Sequence, residues 1–206
     1  MGGGSDSRIP SILHSYFLTN AGYYGVVVRV VCRTYNFNPE VAHEQISLWI
    51  EELKPDLVIG ESLGSLHALR VSELPVLLVS PALNTPFYFE LLSKLTWIPG
   101  VTRYFQYRYK PREGDRQQLS FTSEVLKKYS LHGREALGGL LEKQHRVHAF
   151  FGSRDHYRRS GVVSIKKWKK LFGDSFSMYE GTHFMEEEFI YSLLVPKIVL
   201  MLNIKQ

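Results

Sequence analysis

The sequence predicts an α/β fold, a three-layer sandwich in which helices cover both faces of a mostly parallel sheet. Three observations carry that expectation. Short apolar runs alternate with longer stretches of helical period along most of the chain. The run Pro75 to Leu83 is almost wholly apolar, as a strand buried on both faces must be. The length of 206 residues, with 44% apolar and 22% charged, suffices for one substantial core, so a single domain over 1–206 is expected.

Taken in order, Val26 to Cys32 reads as the first strand because it is a β-branched run. Pro39 to Leu53 follows as an amphipathic helix, with Val41, Ile46, Trp49, Ile50 and Leu53 on one side and Glu40, Glu44, Glu51 and Glu52 elsewhere. Asp56 to Glu61 is the second strand and Leu63 to Val71 the helix it feeds. Pro75 to Leu83 is the third strand and Arg146 to Phe151 the fourth. A helix over Gly161 to Phe172, a fifth strand over Ser175 to Tyr179 and a closing helix from about Met185 to Leu202 complete the pattern.

Residues 84–144 break the alternation with aromatic, basic and glycine-containing sequence, which reads as a short cap insertion. It offers helices near Phe87 to Leu95 and Thr122 to Tyr129 and a polar loop around Lys110 to Gln118.

Composition removes several function classes. The net charge of +5 comes without a base-reading or phosphate-tracking motif, so nucleic acid is not an expected partner. Met1 to Pro10 holds three glycines and no apolar run, unlike a secretory signal, and a cytoplasmic location is expected. Ile190 to Ile204 is broken by Pro196 and Lys197 and is shorter than the roughly 20 apolar residues of a membrane span, so no stable membrane insertion is expected. Cys32 is the one cysteine and sits in an apolar run, leaving no disulfide and a thiol expected to pack as a small hydrophobe.

The second strand ends in Gly60, Glu61, Ser62, Leu63, Gly64, a Gly-x-Ser-x-Gly sequence at a strand-to-helix junction. The chemistry needs that spacing because the serine occupies a sharp, strained turn where side chains two residues away would collide with the crossing backbone. The turn lifts the hydroxyl above the sheet, at a helix start whose N–H groups favour developing negative charge.

A serine hydroxyl is a poor nucleophile at neutral pH until a base takes its proton, and an imidazole is suited to that task. In this arrangement the acid and the base follow the serine on loops after later strands. Gly152, Ser153, Arg154, Asp155 come after the fourth strand, and Glu180, Gly181, Thr182, His183 after the fifth. Ser62, Asp155 and His183 are thus the candidate nucleophile, orienting acid and general base at one end of a parallel sheet.

The remaining histidines read as structural: His156 is adjacent to Asp155, His145 and His148 fall on opposite strand faces, His67 is on the helix after the Gly-x-Ser-x-Gly turn, and His14, His43 and His132 have no partner in sequence. No metal site is predicted. Gly173, Asp174, Ser175 imitate the opening motif of another hydrolase class but follow a helix late in the chain, so they read as a turn.

These motifs give the chain a resemblance to the α/β-hydrolase superfamily, and within it to small, compact bacterial serine esterases. The resemblance extends over nearly the whole chain and implies a minimal α/β-hydrolase fold that cleaves a small-molecule carboxylic ester or thioester through an acyl-enzyme, with no cofactor. Two other functions stay open beside it: a catalytically weak or inactive binding protein on the same fold, and an acyltransferase using the same three residues.

Met1 to Ser5 resembles the family's glycine-rich oxyanion loop, so Gly3 and Gly4 are expected to join the Leu63 N–H as oxyanion donors. The family places a strand before that loop, between the strands at Val26 and Asp56, and here nothing precedes it. A truncated or misassigned start is expected in preference to a sheet that closes over the gap. In the cap, Tyr104, Tyr107 and Arg108 are candidates for holding an acyl or aromatic group with an anionic tail.

Overall fold

A computed structural model describes residues 7–71, 74–108, 119–138 and 146–204. Its sheet has four strands in the order β1 (Val58–Glu61), β2 (Val76–Val79), β3 (Val147–Gly152) and β4 (Phe176–Tyr179), all parallel. This is the predicted three-layer α/β sandwich. The two-residue alternation of β2 divides the core: Val76 and Leu78 pack into one apolar cluster, Leu77 and Val79 into the other.

The face of Val76 and Leu78 is covered by α3 (Pro39–Leu53), α4 (Gly64–Leu69), α7 (Ser123–Ala136) and α9 (Ile165–Phe172), which contribute Leu66, Leu126 and the fully buried Trp168. Three of these helices begin on a side-chain cap, from Asn38 to the Glu40 N–H, Thr122 to the Val125 N–H and Ser164 to the Lys167 N–H. Each such cap contributes about 1 kcal/mol. Between α4 and α7 in the chain come α5 (Thr85–Ser93) and α6 (Val101–Arg108), and α5 packs on α7 where Gly133 leaves room for the Pro86 ring.

The opposite face is closed by α1 (Ile9–Thr19), α2 (Ala21–Tyr24) and the terminal run α10 (Glu187–Phe189), a π turn over Ile190–Leu194, and α11 (Val195–Met201). The sequence reading left α1 out, although Ile9, Leu13 and Phe17 recur every fourth residue and are all buried. It also left out α6 and the short α8 (His156–Arg159).

The expected first strand is a correction. Val26 to Cys32 forms no strand, and no backbone hydrogen bond joins 26–31 to any described residue. Val27 is 93% exposed, while Val28 and Val30 are partly buried against the core. The run has β propensity but no backbone partner among the described residues, and propensity alone does not make a strand. Cys32 is exposed rather than packed in the core.

Within the insertion, the helices expected near Phe87 and Thr122 are α5 and α7, while the predicted loop over 110–118 lies outside the described residues. The Gly173, Asp174, Ser175 triplet is the turn it was expected to be, with Gly173 at φ 64° ending α9. No helix among the described residues is long and apolar enough to cross a membrane.

Candidate active site

Ser62 follows β1 and takes a left-handed backbone, φ 52°. A non-glycine residue held there carries roughly 1–3 kcal/mol of strain. The turn is possible because Gly60 has no side chain: a Cβ would lie 2.8 Å from Ala68 Cβ and 2.9 Å from Ser65 Cα on α4. The strand is fastened on both sides of the turn, since the Ser62 N–H donates to Val79 O at 2.9 Å and its carbonyl accepts from Ala82 N–H at 3.2 Å. Leu63 is buried at the start of α4, and no described residue accepts from its N–H.

Asp155 ends the turn after β3. Its Oδ1 accepts from the Tyr157 N–H at 2.8 Å and so caps α8, while Oδ2 lies 2.8 Å from His183 Nδ1. One carboxyl group does both, each with a different oxygen.

His183 sits on the loop after β4, 2% exposed, with Nε2 2.8 Å from Ser62 Oγ. An ionised carboxylate only accepts, so the Nδ1 nitrogen carries the proton toward Asp155, and Nε2 presents its lone pair to the serine hydroxyl. Burial pushes the Asp155 carboxyl up, yet the hydrogen bond and charge of His183 and the Tyr157 N–H outweigh it and hold the group below its ordinary value.

The two loops are tied to each other. Ser153 N–H donates to Tyr179 O at 2.8 Å and Arg154 N–H to Gly181 O at 2.9 Å, while Thr182 N–H donates to Glu186 Oε1 at 3.0 Å. Arg158 donates to the carbonyls of Gly152 and Ser153 at 3.0 and 3.1 Å. Contact is so close at Gly152 that an added Cβ would lie 2.2 Å from Thr182 O.

Several residues at the site escaped the sequence reading. Tyr157 packs edge-on against the His183 ring at 4.5 Å. His156, read from the sequence as structural, has its ring 6.0 Å from that of His183. Ser80 is fully buried at φ 46° after β2, and its hydroxyl has no hydrogen-bond partner among the described residues. Glu61 is pushed up by burial, against the opposing pull of Ser7 and His183. Ser80 is brought in by strand pairing, whereas Glu61, His156 and Tyr157 arrive as chain neighbours of Ser62 and Asp155.

Other predicted residues are not gathered here. Tyr104 and Tyr107 on α6 are 60% and 82% exposed, and neither lines the cavity that reaches Ser62. Arg108 ends α6 with its side chain outside the described residues, as are Gly3 and Gly4 altogether. His145 also lies outside them. His67 and His132 are buried with ring centroids 4.5 Å apart, and the His43 ring meets that of His132 edge-on at 6.4 Å.

No protein-family model matches this chain, and no curated protein matches it either. Solved structures do. A monoacylglycerol lipase of Paleococcus ferrophilus aligns with a TM-score of 0.53 at 15% identity, covering 93% of this chain and 90% of that one. A hydrolase from Pseudomonas aeruginosa PA01 aligns at 0.52 with 9% identity, covering 92% and 85%. At these identities the likeness shows the fold alone, the α/β sandwich with its parallel sheet described above.

Proposed function

We propose that this chain is a serine hydrolase that cleaves a carboxylic ester or thioester through an acyl-enzyme. The observation that supports it best is the continuous hydrogen-bonded relay from Asp155 Oδ2 through His183 to Ser62 Oγ, both links 2.8 Å. Buried polar groups this close cost desolvation, and a relay ending on a strained, half-buried hydroxyl has a ready chemical use.

In the proposed reaction Ser62 Oγ attacks the acyl carbonyl as its proton passes to His183 Nε2. Asp155 keeps Nδ1 protonated and steadies the imidazolium. The carbonyl oxygen becomes an oxyanion that takes the Leu63 N–H. Collapse expels the alkoxide or thiolate, protonated by His183, and leaves the acyl group on Ser62; water then enters with His183 again as base. The fold shared with a lipase and a hydrolase is in keeping with this class.

The test is labelling by a fluorophosphonate, which phosphonylates an activated serine. Wild-type protein is expected to label and Ser62→Ala and His183→Ala to stay unlabelled. Labelling of wild type no faster than of Ser62→Ala ends the proposal.

A further inference from the structure

Apolar side chains are concentrated on one outer face of the insertion. Phe89 of α5 and Phe105 of α6 both pack on Phe121, with ring centroids 6.5 and 6.0 Å away, so the opposite sides of the two helices turn outward. Along α5 and just past its end, that side holds Phe87, Leu91 and Leu95, spaced four residues apart and all exposed. On α6 it holds Arg103, Tyr104 and Tyr107. Between the helices every residue from Trp97 to Gly100 is exposed. Of the tryptophans, Trp168 is fully buried and Trp49 half-buried, while Trp97 is 79% exposed. Single apolar side chains on a surface are ordinary, but a contiguous group marks a contact face.

The charge of this face has one sign. From Leu91 to Arg108 the sequence contains Lys94, Arg103 and Arg108 and no Asp or Glu. Glu90, just before the run, accepts from the Ser130 hydroxyl at 2.8 Å. Its other oxygen is 3.9 Å from Lys94 Nζ, with both side chains at least half exposed, too loose a pair to neutralise the cation. A second copy docked through this face by two-fold symmetry would set like charges against each other, with no acid in the run to answer them. An anionic lipid surface answers them wherever they fall. Its headgroup zone also takes up Trp and Tyr rings, which are apolar with a polar edge. Being fluid, it receives a turn of four consecutive exposed residues without a groove of matching shape.

We propose that the face made by α5, the Trp97 to Gly100 turn and α6 docks on an anionic lipid bilayer. Leu91, Leu95, Trp97 and Ile98 enter the boundary between headgroups and acyl chains, and Lys94 and Arg103 meet headgroup phosphates. The protein lies on the surface without crossing it, since no helix among the described residues is long and apolar enough to span. The docking face adjoins the relay. Ala82 N–H donates to Ser62 O just before α5 begins, and the Tyr88 hydroxyl of α5 donates to Ser160 O at 2.6 Å, just past α8. Docking through this face is independent of any reaction at Ser62.

Co-sedimentation of the whole chain with lipid vesicles tests this without reference to turnover. Vesicles of phosphatidylglycerol and phosphatidylcholine in equal parts are expected to bind the protein and shift its tryptophan emission to shorter wavelength, and phosphatidylcholine alone to bind it far less. Trp97→Ser is expected to abolish the emission shift and weaken binding by about tenfold or more. Lys94→Ala combined with Arg103→Ala is expected to weaken it by about 25-fold, from about fivefold per cation. Arg29→Ala combined with Lys54→Ala removes the same charge beside β1 and is expected to leave binding unchanged. Four results overturn the proposal: no binding to the phosphatidylglycerol vesicles, equal binding to phosphatidylcholine alone, binding that survives Trp97→Ser undiminished, or an equal loss in the Arg29 and Lys54 pair. A dimer in solution that Trp97→Ser dissociates would assign the face to a second copy and overturn it as well.

Discussion

Replacing Gly152 by alanine tests whether the site depends on the seam between the acid and base loops. The added Cβ would lie 2.2 Å from Thr182 O and 2.6 Å from Gly181 O, both backbone atoms that cannot swing aside. An unstrained carbon to oxygen contact needs about 3.3 Å, so the loop that carries His183 must retreat by about 1 Å. Carried through to the imidazole, that shift takes the 2.8 Å link to Ser62 Oγ beyond hydrogen-bonding range. Misplacement on this scale costs about 100-fold in rate, and the overpacking about 2 kcal/mol, or about 4–8 °C in Tm. The assay is the fluorophosphonate labelling rate at a temperature where the variant is folded, alongside a thermal melt. Gly133→Ala is the control, because its Cβ would meet the Pro86 ring at 2.2 Å between α7 and α5, away from the three residues. It is expected to lose stability comparably and to label normally. Wild-type labelling by Gly152→Ala, or an equal labelling defect in Gly133→Ala, would refute the reasoning.

Asp155→Asn keeps an oxygen for the Tyr157 N–H and so preserves the α8 cap, but no longer fixes the His183 proton; labelling is expected to fall by about 10³–10⁴ with Tm changed little. Ser62→Gly removes the proposed nucleophile and also the left-handed strain at φ 52°, so a melt should show it more stable than wild type by about 1 kcal/mol, while Ser62→Ala gains nothing from that source. Burial first, and then the Arg70 charge, lower the His67 pKa to about 3. The unfolded chain takes up its proton near pH 6.5, so the stability tied to a neutral His67 is complete above that pH and is lost as pH falls toward the folded value. His67→Phe should therefore flatten the urea-derived stability profile between about pH 6 and 4 by about 1.4 kcal/mol per pH unit, and an unchanged slope would contradict the assignment.

Much of the site was legible without coordinates because its signals are local. The elbow declares itself in five consecutive residues, and the structure shows why Gly60 belongs to it: Ala68 and Ser65 occupy the space a side chain would need. Asp155 and His183 were readable because a parallel sheet presents the ends of all its strands at one edge, so a residue's position after its strand already places it. The four strands of the sheet were readable as apolar runs between helices of clear period.

What depended on tertiary structure was whatever needs two distant backbones. Val26 to Val31 has the composition of a strand, yet a strand exists only where another backbone answers its N–H and C=O groups, and there the described chain presents a cavity. The same dependence explains why Ser80 came to notice only beside the assembled relay, and why one aspartate could both cap a helix and hold a histidine. Local sequence sets what each segment prefers to be; the pairing of segments, which no single window of residues contains, decides which preferences are met.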